Sequence, residues 1–174
     1  MAKADAEAAN LLRNSGIIKP PVDVDGLARQ LGAEVTLEAL DSEVSGVLYR
    51  LPDRLVIAVN EDHAQTRRRF TIAHELGHLR LHQGRPLIVD HLVRARVSLR
   101  DTKSSLATER EEIEANRFAA NLLMPAEFIH SVVGREARRR LDETSTIEGL
   151  AKMFGVSPQA MEFRLINLGL KSVV

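Results

Sequence analysis

Phe70-Thr71-Ile72-Ala73-His74-Glu75-Leu76-Gly77-His78-Leu79 is the stretch that decides how this chain is read. From about residue 63 to 83 the apolar positions recur at helical intervals. Phe70, Ala73, Gly77 and Leu81 form one stripe, with Ile72, Leu76 and Leu79 beside it. Inside that helix, His74-Glu75-Leu76-Gly77-His78 fits the pattern H-E-x-x-H. Residues four apart on a helix differ by about 40° in angle and about 6 Å in rise. Two imidazoles so spaced reach one Zn²⁺ from the same face. Glu75 is offset by one position and need not ligate the metal. It can take a proton from activated water and later deliver one to a leaving amine. Zinc lowers the pKa of its water toward ~7, which permits hydrolysis at neutral pH. The competing account is a chance helix with surface histidines, and the strong periodicity around the motif weighs against it.

Zinc needs a third protein ligand. A long-helix extension places Gly and His at fixed offsets after the motif, but those places hold Leu81 and Gly84, so that option is excluded. His82 lies one turn beyond His78 and reads as a residue at the rim of the site. The better source is a carboxylate from another helix. Glu109, Glu111, Glu112 and Glu114 all fall in a helix predicted over 108–123 and opened by a Thr108/Glu111 capping box. Glu112, Asn116, Ala119 and Leu123 share one stripe, and small Ala119 allows close helix approach. Facing favours Glu112 and leaves Glu114 open. Asn116, one turn after Glu112, is placed to hydrogen-bond a ligating histidine.

Outward from these two helices, residues 4–14 read as an Ala-rich helix ending near Gly16, and Pro20-Pro21 breaks the chain. Asp23 caps a short helix through Leu31. Residues 33–38 alternate in β fashion, and 44–51 with 54–60 read as a hairpin around Pro52-Asp53-Arg54. Residues 84–107 are the least regular, with one strand near Leu87-Ile88-Val89; a stretch so long suggests a loop that gates substrate. Pro125 punctuates, 126–142 look helical in two pieces, and 146–155 with 158–168 form a last helical pair. In that pair Gly155 stands at the turn, Ser157 is the N-cap and Pro158 the first helical residue. The pattern is α+β: a small N-terminal antiparallel sheet packed on a zincin-type helix core, with a helix-turn-helix-like C-terminal segment. The predicted division is residues 1–130 for the metallopeptidase-like domain and 131–174 for a helical segment packed on it.

Composition narrows the function classes. Aromatics are 3% of the 174 residues, too few for a platform that stacks on single-stranded nucleic acid. Lys+Arg and Asp+Glu are 24 each, so no net charge draws the chain to DNA or an anionic membrane. Arg67 to Arg69, Arg135 to Arg140 and Glu109 to Glu114 are local charge runs that read as solvated helix faces. The chain has no cysteine, which suits a reducing compartment. Its first residues, Met1-Ala2-Lys3-Ala4-Asp5-Ala6-Glu7, carry acids where a signal peptide needs an apolar stretch. Apolar runs such as Leu55 to Val59 are too short to span a bilayer. The expected location is the cytoplasm.

Two blocks carry a family resemblance. One is Arg68-Arg69-Phe70-Thr71-Ile72-Ala73-His74-Glu75-Leu76-Gly77-His78-Leu79 followed by His82. The other is Glu112-Ile113-Glu114-Ala115-Asn116-Arg117-Phe118-Ala119-Ala120-Asn121-Leu122-Leu123-Met124-Pro125. In that order, after a strand ending Val59-Asn60, they resemble the ImmA/IrrE family of metallopeptidases over roughly residues 45–130. The resemblance implies a gluzincin-like site with His74, His78 and Glu112 as metal ligands and Glu75 as the catalytic carboxylate. Glu112 is preferred over Glu114 because the family's ligand stands three residues before the alanine matched by Ala115. The implied metal is Zn²⁺, with Mn²⁺ the alternative. The implied partner is a protein substrate, a helix-turn-helix repressor of the Xre type that is cleaved or otherwise inactivated, relieving repression of mobile-element or stress genes. Such proteins are intracellular and often sit beside their repressor on mobile elements or phage.

Substrate alignment is expected along Leu55-Val56-Ile57-Ala58-Val59, by pairing of an extended peptide with the strand edge. Tyr49, His63, His82 and His91 are the candidates to assist the oxyanion. Two other readings compete. Leu150 to Leu170, with its Phe154-Gly155-Val156-Ser157 turn, resembles a DNA-binding helix-turn-helix. Its second helix has few side chains suited to base edges, namely Gln159, Arg164 and Asn167, and it carries Glu162, which phosphate repels; direct contact with nucleic acid is not favoured. The last reading is a zinc-binding docking protein that does not cut its partner.

Overall fold

Leu55–Asn60 is almost unbroken in apolar side chains, and such a run forms a strand covered on both faces. A computed structural model describes residues 2–82, 87–91, 102–134, 141 and 143–172, with the backbone alone at 87–91 and 102–108. In it Leu55–Asn60 is β3, an interior strand of a four-stranded sheet. Ala33–Glu38 (β1), Val44–Arg50 (β2) and Leu87–His91 (β4) complete the sheet in the order β1-β3-β2-β4. Strands β2 and β3 form the predicted hairpin, closed by a hydrogen bond from Leu51 N–H to Arg54 O at 2.9 Å. Strand β4 pairs antiparallel with β2.

The expected antiparallel sheet is corrected at β1, which runs parallel to β3, with Ala33 opposite Leu55 and Glu38 opposite Asn60. The sheet is therefore mixed. The reason lies in polarity. Glu34, Thr36 and Glu38 make β1 suited to an edge, while apolar β3 takes the interior, so β2 lies on the far side of β3 from β1. Asn60 secures the crossing segment: its Nδ2 donates to the carbonyls of Asp41 and Val44 at 3.1 and 2.9 Å.

The helices are α1 (Lys3–Asn14), α2 (Val24–Gln30), α3 (Gln65–Leu81), α4 (Thr102–Leu123), α5 (Ala126–Val132), α6 (Thr144–Phe154) and α7 (Pro158–Asn167). Asp23 caps α2 by accepting from Gly26 N–H at 2.9 Å, as its position predicts. Helix α4 starts six residues before the predicted capping box at Thr108, which lies within it. The strand predicted near 87–89 is β4; the rest of the supposed gating loop, and the run Arg135 to Arg140, lie outside the described residues.

One hydrophobic cluster runs from Ala4 in α1 to Leu165 in α7, with Phe118, Leu122, Phe154 and Met161 fully buried. Polar ties fix the helices around it. Arg117 of α4 grips Asp5 of α1 through two hydrogen bonds, at 2.5 and 2.7 Å, and Asn121 donates to the same carboxylate at 3.0 Å. That grip holds the Asp5 carboxyl below its usual range. Arg164 of α7 is buried and donates to Met124 O at 2.9 Å and Asn121 Oδ1 at 2.7 Å. It is thus committed to the core and turned away from the base-reading role that a helix-turn-helix would give it. Glu162 of the same helix pairs with Lys171 at 3.0 Å.

Candidate metal centre

Helix α3 carries the motif through the middle of the molecule. All of residues 71–78 are buried, enclosed by β2, β3, α1, α2 and α4. The predicted apolar stripes are there, but polar His74, Glu75 and His78 are as buried as their neighbours. Close approach of α4 makes this possible. A Cβ added at Gly77 would lie 3.0 Å from Ala115 Cα and 3.2 Å from its carbonyl oxygen, so glycine inside the motif sets the spacing of α3 and α4.

That approach brings Glu112 of α4 to the two histidines. His74 Nε2 and His78 Nε2 stand 2.9 Å apart. Glu112 Oε2 is 3.2 Å from His74 Nε2, and its Oε1 is 3.3 Å from His78 Nε2. The three residues are buried and each offers one ligand atom, all within 4.8 Å of one another. Ligands about 2.0–2.2 Å from a tetrahedral zinc stand roughly 3.3 Å from each other, so this donor set fits such an ion. Burial pushes His78 below the ordinary histidine range, against the opposing effect of Glu112, and so favours the neutral ring that a metal requires. His74 Nδ1 lies 3.0 Å from Asn116 Oδ1, the contact predicted for Asn116.

The other sequence candidates go elsewhere. Glu114 turns from the cluster to His82, with Oε2 at 3.1 Å from Nε2. Tyr49 alternates with Gly46 and Arg50, which face α3, and so lies on the opposite face of the sheet. His63 is half-buried in the turn leading into α3. The His91 side chain lies outside the described residues. Of the charge runs read as solvated faces, Glu112 is buried, and Arg69 bridges Val22 O at 2.7 Å and Gly155 O at 3.0 Å. Gly155 closes α6 at φ +66° directly against that guanidinium.

Two residues that the sequence did not flag shape the site. Arg50 donates to the carbonyls of His78 and His82, both at 3.0 Å, and so closes the last turn of α3. Burial lowers its pKa and the nearby Glu75 charge raises it. Gly46 of β2 passes directly over Glu75: a Cβ there would lie 2.4 Å from Thr71 Cγ2 and 3.4 Å from Glu75 Oε1. The ladder between β2 and β4 shifts register between Val44 and Gly46, a bulge of the kind found beside functional sites. Gly46→Ala is expected to lower the melting temperature by several degrees, since overpacking costs about 1–3 kcal/mol. A thermal scan of the metal-free variant matching wild type would show that β2 yields freely there.

A family model described as Peptidase_M78, the IrrE N-terminal-like domain, matches residues 28–166. The chain belongs to this family. Peptidase_M78 is a metallopeptidase family, and the matched region of this member contains α3, α4 and the whole His74, His78, Glu112 cluster. The member is also 31% identical over 100 residues to a Bacillus phage phi105 protein named "Uncharacterized immunity region protein 2". That match covers 57% of this chain and 56% of the phage protein, so the chain spans little more than half of that relative's length. Its fold resembles a solved "Mycobacterium tuberculosis transcriptional regulator" with a TM-score of 0.63 and 19% identity, over 95% of this M78 chain and 47% of the other. Among the described residues, no helix is long and apolar enough to cross a membrane.

Proposed function

We propose that this M78 member is a zinc-dependent endopeptidase that cuts a helix-turn-helix repressor of the Xre type and so relieves repression. The observation that carries the reading is the convergence of His74, His78 and Glu112 beside a fully buried Glu75 on one H-E-x-x-H helix. His74 and His78 would hold the ion from α3 and Glu112 would hold it from α4, with Zn²⁺ preferred for a nitrogen-rich set and Mn²⁺ the alternative. The plan is that of a zincin, with residues 1–130 carrying the chemistry and 131–174 packed on them. The phage relative's name, with its immunity region, supports a repressor as the substrate.

A bound zinc supplies Lewis acidity, polarising the scissile carbonyl and acidifying water. Glu75 takes a proton from the attacking water as the new C–O bond forms, then passes it to the amine nitrogen as the C–N bond breaks. Arg50 keeps a positive charge near that carboxylate and holds the end of its helix. Substrate alignment belongs to a strand with an open edge. Interior β3 is paired on both sides, by β1 and β2, so the expectation placed on it fails. Among the described residues β4 is an edge strand, and its Asp90 pairs with Gly46, which lies over Glu75, so β4 is the strand assigned to pair with an extended peptide.

The test is to load the purified protein with zinc, incubate it with Xre-type helix-turn-helix repressors from its source and read fragments by mass spectrometry. A single internal cut that disappears on chelation is the expected result. Stoichiometric zinc with an intact repressor that stays bound would replace the peptidase by a docking protein.

A further inference from the structure

The two histidines of the cluster are held differently on their outer sides. His74 Nδ1 meets the Asn116 side-chain oxygen, a direct acceptor. His78 Nδ1 meets another imidazole, His82 Nδ1, at 3.1 Å. A contact between two ring nitrogens works only if one carries hydrogen and the other a lone pair. The far end of the His82 ring settles which. Its Nε2 lies 3.1 Å from Glu114 Oε2, and an ionised carboxylate only accepts. Hydrogen therefore sits on His82 Nε2; with that single hydrogen on the ring its Nδ1 presents a lone pair, and His78 Nδ1 donates to it. That leaves the lone pair of His78 Nε2 facing Glu112 and His74.

The parts of this chain are held in place. The His82 side chain is 7% exposed. Its backbone N–H donates to His78 O and its carbonyl accepts from Arg50. Arg110 donates to Glu114 Oε1 at 3.2 Å, which leaves Oε2 for His82. Both His82 nitrogens are thus engaged, Nδ1 with the outer side of His78 and Nε2 with Glu114.

We propose that His82 and Glu114 are positioning residues, a two-step relay from a surface carboxylate that fixes the His78 ring in the tautomer presenting Nε2 as a ligand. The inference rests on the metal-centre reading and adds to it the residues that set ligand quality. A metal-ligating histidine commonly donates its other N–H to a carboxylate directly, and loss of such a partner costs about 10–100-fold in metal affinity. Here an imidazole is inserted between the two.

The experiment compares wild type, His82→Phe, His82→Asn, Glu114→Gln and Glu112→Ala. Zinc dissociation constants come from competition with a chromophoric chelator, ring tautomers from long-range ¹H–¹⁵N spectra, and melting temperatures from the metal-free proteins. His82→Phe is expected to weaken zinc by roughly 10–100-fold and to release His78 into a mixture of tautomers. His82→Asn, whose amide oxygen can accept from His78 Nδ1, should recover part of the loss. Glu114→Gln should weaken zinc less, and it carries the test if His82→Phe fails to fold, because its side chain is 30% exposed. A lowered melting temperature with unchanged tautomers and zinc affinity would make these residues structural only and overturn the relay. If Glu112→Ala loses zinc while both relay variants bind as wild type, the relay fails and the centre stands. If Glu112→Ala also binds as wild type, the centre itself is wrong.

Discussion

Glu75→Gln is expected to bind zinc within a few-fold of wild type and to lose peptide hydrolysis by roughly 10²–10⁴-fold, the range set by general acid–base catalysis. The amide has nearly the shape of the carboxylate, and shape matters because Glu75 is 0% exposed under Gly46. What the amide cannot do is accept the proton of the attacking water. His74, His78 and Glu112 are untouched by the change, so metal content and hydrolysis should separate. Measured together by metal analysis and fragment yield, a variant that keeps zinc and still cuts at the wild-type rate would remove Glu75 from the chemistry. A variant that loses zinc would instead make Glu75 part of the metal's support.

Glu112→Ala is expected to weaken zinc by more than the 10–100-fold typical of outer-shell changes, because it deletes a direct donor. Glu112 is the only carboxylate in the cluster among the described residues, and it reaches across from α4 to histidines that both belong to α3. Without it two neutral imidazoles remain as donors, and the cluster loses the one charged ligand it offers a divalent ion in a buried place. Equilibrium titration against a chelator of known affinity is the check, and full affinity in the variant would sink the third-ligand assignment.

Much of this fold and site is legible in the sequence. The order of helices and strands, the β2–β3 hairpin and the caps at Asp23 and Ser157 follow from local patterns that need no knowledge of the rest of the chain. The placing of His74, Glu75 and His78 on one helix follows from its period, and Asn116 was found by stepping one turn from Glu112. By contrast, Glu112 and Glu114 are near neighbours in a run of acids, and helix facing alone left both in play. The family resemblance favoured Glu112, and the structure sends Glu114 to His82 instead. What the sequence hid is long-range. Arg50 looks like an ordinary surface arginine, and Arg164 like a side chain for base edges, until their carbonyl partners arrive from 28 and 40 residues away. Gly77 reads as a filler inside the motif, and only the crossing of α4 gives it a role. Parallel pairing of β1 with β3 depends on which strand wins the interior, a competition no single strand records.

The burial of residues 71–78 has a consequence for how an ion is received. Amide protons in so enclosed a stretch exchange with solvent only when a large part of the fold opens. The backbone under His74, Glu75 and His78 therefore has little disorder left to surrender when coordination begins. Binding that orders nothing keeps its free energy as affinity. Chelation, by the same reasoning, should empty the centre while the helix beneath it keeps its slow exchange.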